Sequence, residues 1–238
     1  MLADLHTHTH YSNLWWRVES RLSPKQVLQI AVKRGLGIVA VTDHNTLAGS
    51  EVALALQPQF PSLIIVPGEE ITSREGDILA YGIATTIPKG LSAAETVARI
   101  HQQGGVAVAA HPFQRNVILF GRNLFRRGLG EVCRVLPLEG VEYMGSSLRR
   151  VNGVRNRRAR AYGKEGHLAL LANSDAHFGF RVGRCQTTFP ANCRTWHDVL
   201  AAIRAGDCFP AGGATWSFFR QYSLGLLNQF FGRFFLDK

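Results

Sequence analysis

The sequence alternates short, uniformly apolar runs with segments that carry helix start and stop signals. The runs cover residues 38–41, 63–66, 106–110 and 168–172, and they consist almost entirely of Val, Ile, Leu and Ala. Runs without an alternating polar face are typical of parallel strands that are buried on both faces. This pattern constrains the fold more than any other feature, because parallel neighbours need a long connection, usually a helix, between them.

Three of the predicted helices are bounded by recognisable capping residues. Each begins with a Ser or Thr that is followed directly by proline or, three residues later, by an acidic residue, and each ends near glycine. The start signals are Ser23 with Pro24, Ser92 with Glu95 and Thr195 with Asp198, and the glycines are Gly35, Gly104 and Gly206. The sequence therefore predicts an α/β protein built from βα units, and the pattern alone fits both a barrel and an open sheet.

Bulk properties favour one large domain in the cytoplasm. A chain of 238 residues can bury its own core. No apolar run is long enough to span a bilayer, the first residues do not resemble a signal peptide, and the four cysteines form no C-x-x-C pair. The net charge of +10 favours anionic partners such as phosphate compounds, nucleic acid or anionic lipid. Residues 149–164 are rich in arginine, although a solvated helix face would explain that stretch equally well.

Residues able to bind metals follow the predicted strands. Because the C-terminal ends of parallel strands share one face, we expect these residues to converge in space. They are His6 and His8 after residues 2–5, Asp43 and His44 after 38–42, Glu69 and Glu70 after 63–66, His111 after 106–110, and Asp175 and His177 after 168–172.

The types and spacing of these residues suit a multinuclear metal site. In His6-x-His8 both imidazoles point to one face of an extended chain, and Asp175-x-His177 repeats that geometry. A carboxylate such as that of Glu69 can bridge two metals at the spacing of about 3.5–4 Å that phosphoryl chemistry uses. The mixed nitrogen and oxygen ligands suit Zn, Mn or Fe rather than Ca or Mg alone.

Five motifs in this order resemble the polymerase and histidinol phosphatase (PHP) family. They are Asp4-Leu-His6-Thr-His8, Thr42-Asp43-His44, Gly68-Glu69-Glu70, Ala110-His111-Pro112 and Ser174-Asp175-Ala-His177. The resemblance implies a distorted TIM-like (β/α)7 barrel over residues 1–215, with metals at the C-terminal ends of the strands. It also implies a phosphoesterase that hydrolyses a phosphate ester by attack of a metal-bridging hydroxide.

The resemblance also implies roles for individual residues, with two or three divalent metals (Mn, Zn or Fe, with Mg also open). The first metal would bind His6, His8, Glu69 and Asp175; Glu69 would bridge to a second on His111; His44 and His177 would hold a third; Asp43 would orient a ligand. Glu69, His111, Asp175 and His177 would be central to catalysis. Two positions depart from the family pattern: Asn13 offers a neutral ligand to the third metal, and Asp77 replaces a histidine at the second.

The substrate remains open at this point. The resemblance favours a small phosphorylated molecule such as a nucleotide or short oligonucleotide, and the arginines nearest the motifs are expected to bind its phosphate: Arg115, Arg149, Arg150, Arg181 and Arg184. The alternatives are a 3'-5' or 5'-3' exonuclease on RNA or DNA ends, a histidinol-phosphate phosphatase, and a metal- or nucleic-acid-binding protein without catalytic activity.

Residues 216–238 form a separate C-terminal tail rich in phenylalanine and leucine, with Arg220 and Arg233 alongside. The pattern predicts an amphipathic helix that packs on the barrel or on a second copy of the chain. An interfacial helix on an anionic membrane is the alternative.

Overall fold

The computed structural model describes residues 1–12, 19–114, 117–119, 122–125, 128–143 and 151–211. In chain order the elements are β1 (Leu2–Asp4), α1 (Pro24–Lys33), β2 (Ile38–Val41), α2 (Ala48–Ala55), β3 (Ile64–Thr72), β4 (Asp77–Tyr81), α3 (Ala93–Gln102), β5 (Val106–Ala109), β6 (Val117–Leu119), β7 (Arg122–Phe125), β8 (Gly140–Glu142), α4 (Val151–Glu165), β9 (Ala169–Leu171), β10 (Gln186–Thr188), α5 (Trp196–Ala205) and β11 (Phe209–Ala211). Three short 3-10 helices lie at His10–Ser12, Gln57–Gln59 and Gly130–Val135.

The main sheet of the described residues is a nearly closed barrel with the strand order β11-β10-β1-β2-β3-β4-β5-β8-β9. Strands β1, β2 and β3 are parallel, as are β5, β8 and β9, whereas β4 is antiparallel to both of its neighbours. The end strands β9 and β11 lie against each other. The predicted TIM-like barrel is therefore confirmed.

The number and direction of the strands differ from the (β/α)7 prediction. A tight turn joins β3 to β4, and in this turn Ser73 and Gly76 are linked through backbone and side-chain hydrogen bonds. An antiparallel hairpin therefore takes the place of one helical crossover. Strand β10 adds an antiparallel strand beside β1, with β11 beyond it, so that the described sheet has nine strands.

The three predicted helices occur where their caps place them. The Ser92 and Glu95 side chains, and likewise those of Thr195 and Asp198, form capping boxes at the starts of α3 and α5. Ser23 caps α1, where Gln26 completes a capping box. None of the helices in the described ranges is both long and apolar enough to cross a membrane.

The apolar strands are buried on both faces, as the sequence pattern predicts. In β2, Ile38 and Ala40 pack in the barrel interior, while Val39 and Val41 pack with Val27 of α1 outside it. In the interior, the Tyr81 hydroxyl donates a hydrogen bond of 2.9 Å to the carbonyl oxygen of Leu5. Because the side chains in the middle of each strand pack in the core, polar side chains cluster at the strand ends.

Candidate metal centre

The predicted ligands converge at one edge of the barrel. His6 and His8 follow β1, His44 follows β2, His111 follows β5, and Asp175 and His177 follow β9. The first and last of these loops are joined directly, because the backbone N–H of His8 donates to the carbonyl oxygen of Ala176 at 2.9 Å. Asp77 reaches the same edge because it is the first residue of β4, which runs antiparallel to β3 and β5.

Glu70 is the carboxylate at the centre of this cluster. Its Oε2 lies 3.2 Å from His6 Nε2, 3.3 Å from His8 Nε2 and 3.0 Å from His44 Nδ1. Its Oε1 lies 3.1 Å from His111 Nε2. Glu70 therefore contacts imidazoles from three separate loops.

The sequence analysis gave this bridging position to Glu69, and the structure corrects it. The neighbours Glu69 and Glu70 lie on one strand, so their side chains point to opposite faces of the sheet. Glu69 Oε2 accepts a hydrogen bond of 3.3 Å from the backbone N–H of Ile87, outside the ligand cluster. Burial raises the pKa of Glu69 to about 7.

Among the described residues, three groups of side chains bring ligand atoms within 4.8 Å of one another: His6 with His8 and Glu70, Glu70 with Asp77 and His111, and His8 with His44 and His177. Two of these groups share Glu70. Asp175 extends the first group, since its Oδ1 lies 3.5 Å from His6 Nε2 and 3.2 Å from His8 Nε2.

The chemistry of these atoms fits divalent metal ions. The Nε2 atoms of His6 and His8 and the Oε2 atom of Glu70 are buried, yet among the described residues they make no properly aligned hydrogen bond. Buried polar atoms are rarely left without a hydrogen-bond partner, and a site for a metal ion is a recognised reason. Imidazole nitrogens and carboxylate oxygens aimed at a common point form the mixed ligand set of Zn, Mn or Fe sites.

The electrostatics of the cluster are dominated by close pairs of carboxylates and imidazoles. Burial alone would raise the pKa of Glu70 and Asp175, but neighbouring histidines hold both well below the ordinary value. Burial alone would lower the pKa of His8, but the close carboxylates of Asp175 and Glu70 raise it to about 9. Burial and the nearby charge of Glu70 raise the pKa of Asp77 to about 7.

A buried glutamate that the sequence analysis missed, Glu142 at the end of β8, supports two of these ligands. Its Oε1 lies 2.9 Å from His6 Nδ1 and accepts a hydrogen bond of 3.1 Å from Asn173 Nδ2. Its Oε2 accepts a hydrogen bond of 2.9 Å from the backbone N–H of His111. Glu142 thereby ties the loops after β1, β5 and β9 together.

Asp43 lies behind the ligands and is linked to His8 through Ser12. Its carboxylate accepts hydrogen bonds of 2.6 Å from the Thr9 backbone N–H and from the Ser12 hydroxyl. The Ser12 hydroxyl also lies 3.1 Å from His8 Nδ1. Asp43 therefore acts on His8 through Ser12 and is outside the groups of converging ligand atoms.

Asp4, from the first motif, holds the loop that carries Asp175. It accepts hydrogen bonds from the Ser174 backbone N–H at 3.0 Å, the Ser174 hydroxyl at 2.6 Å and the Gly183 backbone N–H at 2.6 Å. The backbones of His111 and Asp175 have positive φ angles of 28° and 48°. Strained backbone of this kind persists where the surrounding hydrogen bonds over-determine it, and it is concentrated at functional sites.

The predicted phosphate-binding arginines are only partly described. The Arg181 guanidinium donates to the Ser174 carbonyl oxygen at 3.0 Å, and that of Arg184 donates to the Phe180 carbonyl oxygen at 3.2 Å. Both therefore hydrogen-bond within the loop that carries Asp175. The remaining predicted arginines, the predicted ligand Asn13 and the predicted tail lie outside the described residues. They are Arg115, Arg149, Arg150, Asn13 and residues 216–238.

Comparison with known sequences gives two matches of different extent. A sequence profile of the family described as PHP-associated matches residues 153–208. An uncharacterized protein of Methanocaldococcus jannaschii, MJ1587, is 37% identical over 147 residues, which cover 60% of this chain and 80% of that protein.

Solved structures share the fold at low sequence identity. A candidate metal-dependent phosphoesterase from Bifidobacterium adolescentis has a TM-score of 0.58 at 18% identity, covering 86% of this chain and 96% of that chain. A lesion-specific endonuclease from Pyrococcus furiosus also has a TM-score of 0.58, at 16% identity, covering 94% of this chain and 66% of that chain. At these identities the likeness concerns the fold.

Proposed function

The chain belongs to the polymerase and histidinol phosphatase (PHP) family, and we propose that it is a metal-dependent phosphoesterase that hydrolyses a phosphate ester of a nucleotide or short oligonucleotide. The observation that carries the proposal is the sharing of Glu70 between two groups of converging ligand atoms. A shared carboxylate is the arrangement that two-metal phosphoryl-transfer sites require.

The roles that we propose for the ligands follow from these groups. His6, His8, Glu70 and Asp175 would hold one divalent metal, and Glu70, Asp77 and His111 a second. Such metals supply a water of lowered pKa and stabilise the charge on the phosphoryl oxygens. The protein's own part is to aim imidazole nitrogens and carboxylate oxygens at common points and to fix both sets of atoms before substrate binds.

Basic residues of the chain support an anionic substrate. Arg181 contacts the loop that carries Asp175, and the exposed side chains of Arg157, Arg160 and Lys164 lie along α4. A surface of this charge raises the local concentration of phosphate compounds. A nucleotide or a short oligonucleotide carries the phosphate groups that divalent metals and basic side chains bind.

A nuclease acting on RNA or DNA is the second candidate. The same exposed basic residues of α4 favour it, and the structural neighbour from Pyrococcus furiosus is an endonuclease. Nucleic acid contacts of this kind are electrostatic, so nuclease activity would fall steeply as the salt concentration rises.

Hydrolysis by metal-stripped protein refilled with Mn²⁺, Zn²⁺, Fe²⁺ or Mg²⁺ tests the proposal. The panel contains nucleoside monophosphates and bisphosphates, short oligonucleotides, longer RNA and DNA, and histidinol phosphate. We expect metal-dependent release of phosphate or nucleotide from the small nucleotides or short oligonucleotides. Turnover of long nucleic acid alone would favour the nuclease, and stoichiometric metal binding without any turnover would reject a phosphoesterase.

A further inference from the structure

A carboxylate from outside the sequence motifs reaches the third ligand group. Glu19 Oε2 lies 3.1 Å from His44 Nε2 and 4.0 Å from His177 Nε2. The Glu19 side chain is only 10% exposed, so a mostly buried carboxylate faces two imidazoles from different loops. Glu19 is also the first acidic residue after His8 in the chain, because residues 9–18 contain none.

We propose that Glu19 is a ligand of a third divalent metal, which it binds together with His44 and His177. This inference rests on the proposed function, since it adds a further ion to the same centre. It assigns to Glu19 the anionic ligand that the neutral side chain of Asn13 does not supply.

The two separations between Glu19 and the imidazole nitrogens match those between ligand atoms of one shared ion. Bonds from a metal such as zinc to imidazole nitrogen or carboxylate oxygen are about 2.0–2.2 Å long, which places two ligand atoms of one ion roughly 3–4 Å apart. The two distances from Glu19, 3.1 Å and 4.0 Å, agree with this spacing. The longer one exceeds a hydrogen bond, so direct pairing of His177 with Glu19 does not account for it.

The orientation of His177 points to the same conclusion. Its Nδ1 lies 3.2 Å from the carbonyl oxygen of Asp175, and that oxygen can only accept a hydrogen bond. The proton therefore belongs on Nδ1, and the lone pair of Nε2 faces Glu19. A lone pair opposite a carboxylate oxygen is unfavourable unless a cation lies between them, and metal-binding histidines are commonly oriented in this way.

Another explanation involves no third ion. His44 also lies 3.0 Å from Glu70, so a protonated His44 could bridge the carboxylates of Glu19 and Glu70. The two explanations differ in the number of ions bound, and that number can be measured without any assay of turnover.

Equilibrium dialysis of the metal-free full chain against Mn²⁺, with the bound metal counted by mass spectrometry, tests the proposal. We expect three ions per native chain at saturation. In Glu19→Gln the affinity for the third ion should fall, while the other two ions are retained. The fall should exceed the roughly 10–100-fold loss of affinity that removal of an outer supporting group causes. The matched control is Glu51→Gln, the same change at an exposed position of α2, which should bind as the native chain does.

Two results would overturn the inference: a native chain that binds no more than two ions at any Mn²⁺ concentration, or a Glu19→Gln variant whose third ion binds with native affinity. If circular dichroism shows that Glu19→Gln does not fold, Glu19→Asp decides instead, because it keeps the charge and should weaken only the third ion. A failure here, with two ions still bound, leaves the phosphoesterase proposal standing, whereas absence of all binding would reject both.

Discussion

Glu142 Oε1 lies 2.9 Å from Nδ1 of His6, while Glu70 lies at the other nitrogen of the same ring. With a metal bound, the Glu142 carboxylate would hold a proton on Nδ1 and leave the lone pair of Nε2 to the metal. Carboxylate–histidine pairs of this kind fix the ring and raise its basicity as a metal ligand. Glu142 is thus a positioning residue, although the PHP motifs quoted from the sequence do not include it.

Glu142→Gln should weaken metal binding about 10–100-fold, because the amide keeps the shape of the side chain and loses its charge. Competition with a chromogenic chelator measures the affinity, and Glu51→Gln is the control. Native affinity in Glu142→Gln would show that the contact with His6 has no part in metal binding.

Metal binding should release protons at neutral pH. Burial lowers the pKa of His8, but the close carboxylates of Asp175 and Glu70 outweigh burial and raise it to about 9, so the metal-free protein carries a proton there at pH 7.5. A metal binds only the neutral imidazole, so affinity should rise as the pH approaches 9. Calorimetric titration with Mn²⁺ in buffers of different ionisation enthalpy counts the protons, and a buffer-independent heat would contradict the prediction.

The raised pKa of His8 also affects the stability of the metal-free protein. A histidine whose pKa is raised on folding stabilises the native state fully below its unfolded pKa of about 6.5. This contribution is lost as the pH rises from there through about 9. Urea denaturation of the metal-free protein between pH 6 and pH 9 should show that decline from His8, and Mn²⁺ should reduce it.

Glu69→Gln should stabilise the protein at alkaline pH. Burial raises the pKa of Glu69 from 4.5 to about 7, so folding is opposed increasingly as the pH rises between these values and fully above them. Removing the charge should add about 1–3 kcal/mol to the free energy of unfolding at pH 8.5. The gain should be small at pH 5, and urea denaturation at both pH values measures it. An equal effect at both would show that ionisation is not the cause.

Asp4→Ala should loosen the loop that carries Asp175. Without the carboxylate, the backbone N–H groups of Ser174 and Gly183 lose their acceptor, at a cost of about 1–3 kcal/mol for each buried group left unpaired. Thermal denaturation of the metal-free protein measures this loss. Asp4→Asn keeps one acceptor oxygen and should lose less; an equal loss in both variants would point to the charge instead.

Much of the fold and part of the centre could be predicted from the sequence. The apolar strands and the capped helices are local patterns, and the convergence of His6, His8, His111 and Asp175 follows from the shared edge of parallel strands. These features depend on neighbouring residues along the chain or on a general rule of α/β folds.

The choice between Glu69 and Glu70 could not be made in the same way. Strand β3 is buried on both faces, so its apolar pattern does not show which of two adjacent glutamates points towards the ligands. Glu142 left a signal, a carboxylate in an apolar strand, which the sequence analysis did not use. Glu19 left none, because it belongs to no motif and only the tertiary fold brings it to His44.

Adjacent glutamates on one strand provide the most direct test of the central claim. The measurement is hydrolysis of bis(4-nitrophenyl) phosphate by the native chain, Glu70→Gln and Glu69→Gln, each stripped of metal and then supplied with Mn²⁺. We predict metal-dependent release of 4-nitrophenol by the native chain and Glu69→Gln, and only background release by Glu70→Gln. Native activity in Glu70→Gln, or no hydrolysis by native protein that has bound its ions, would contradict the account.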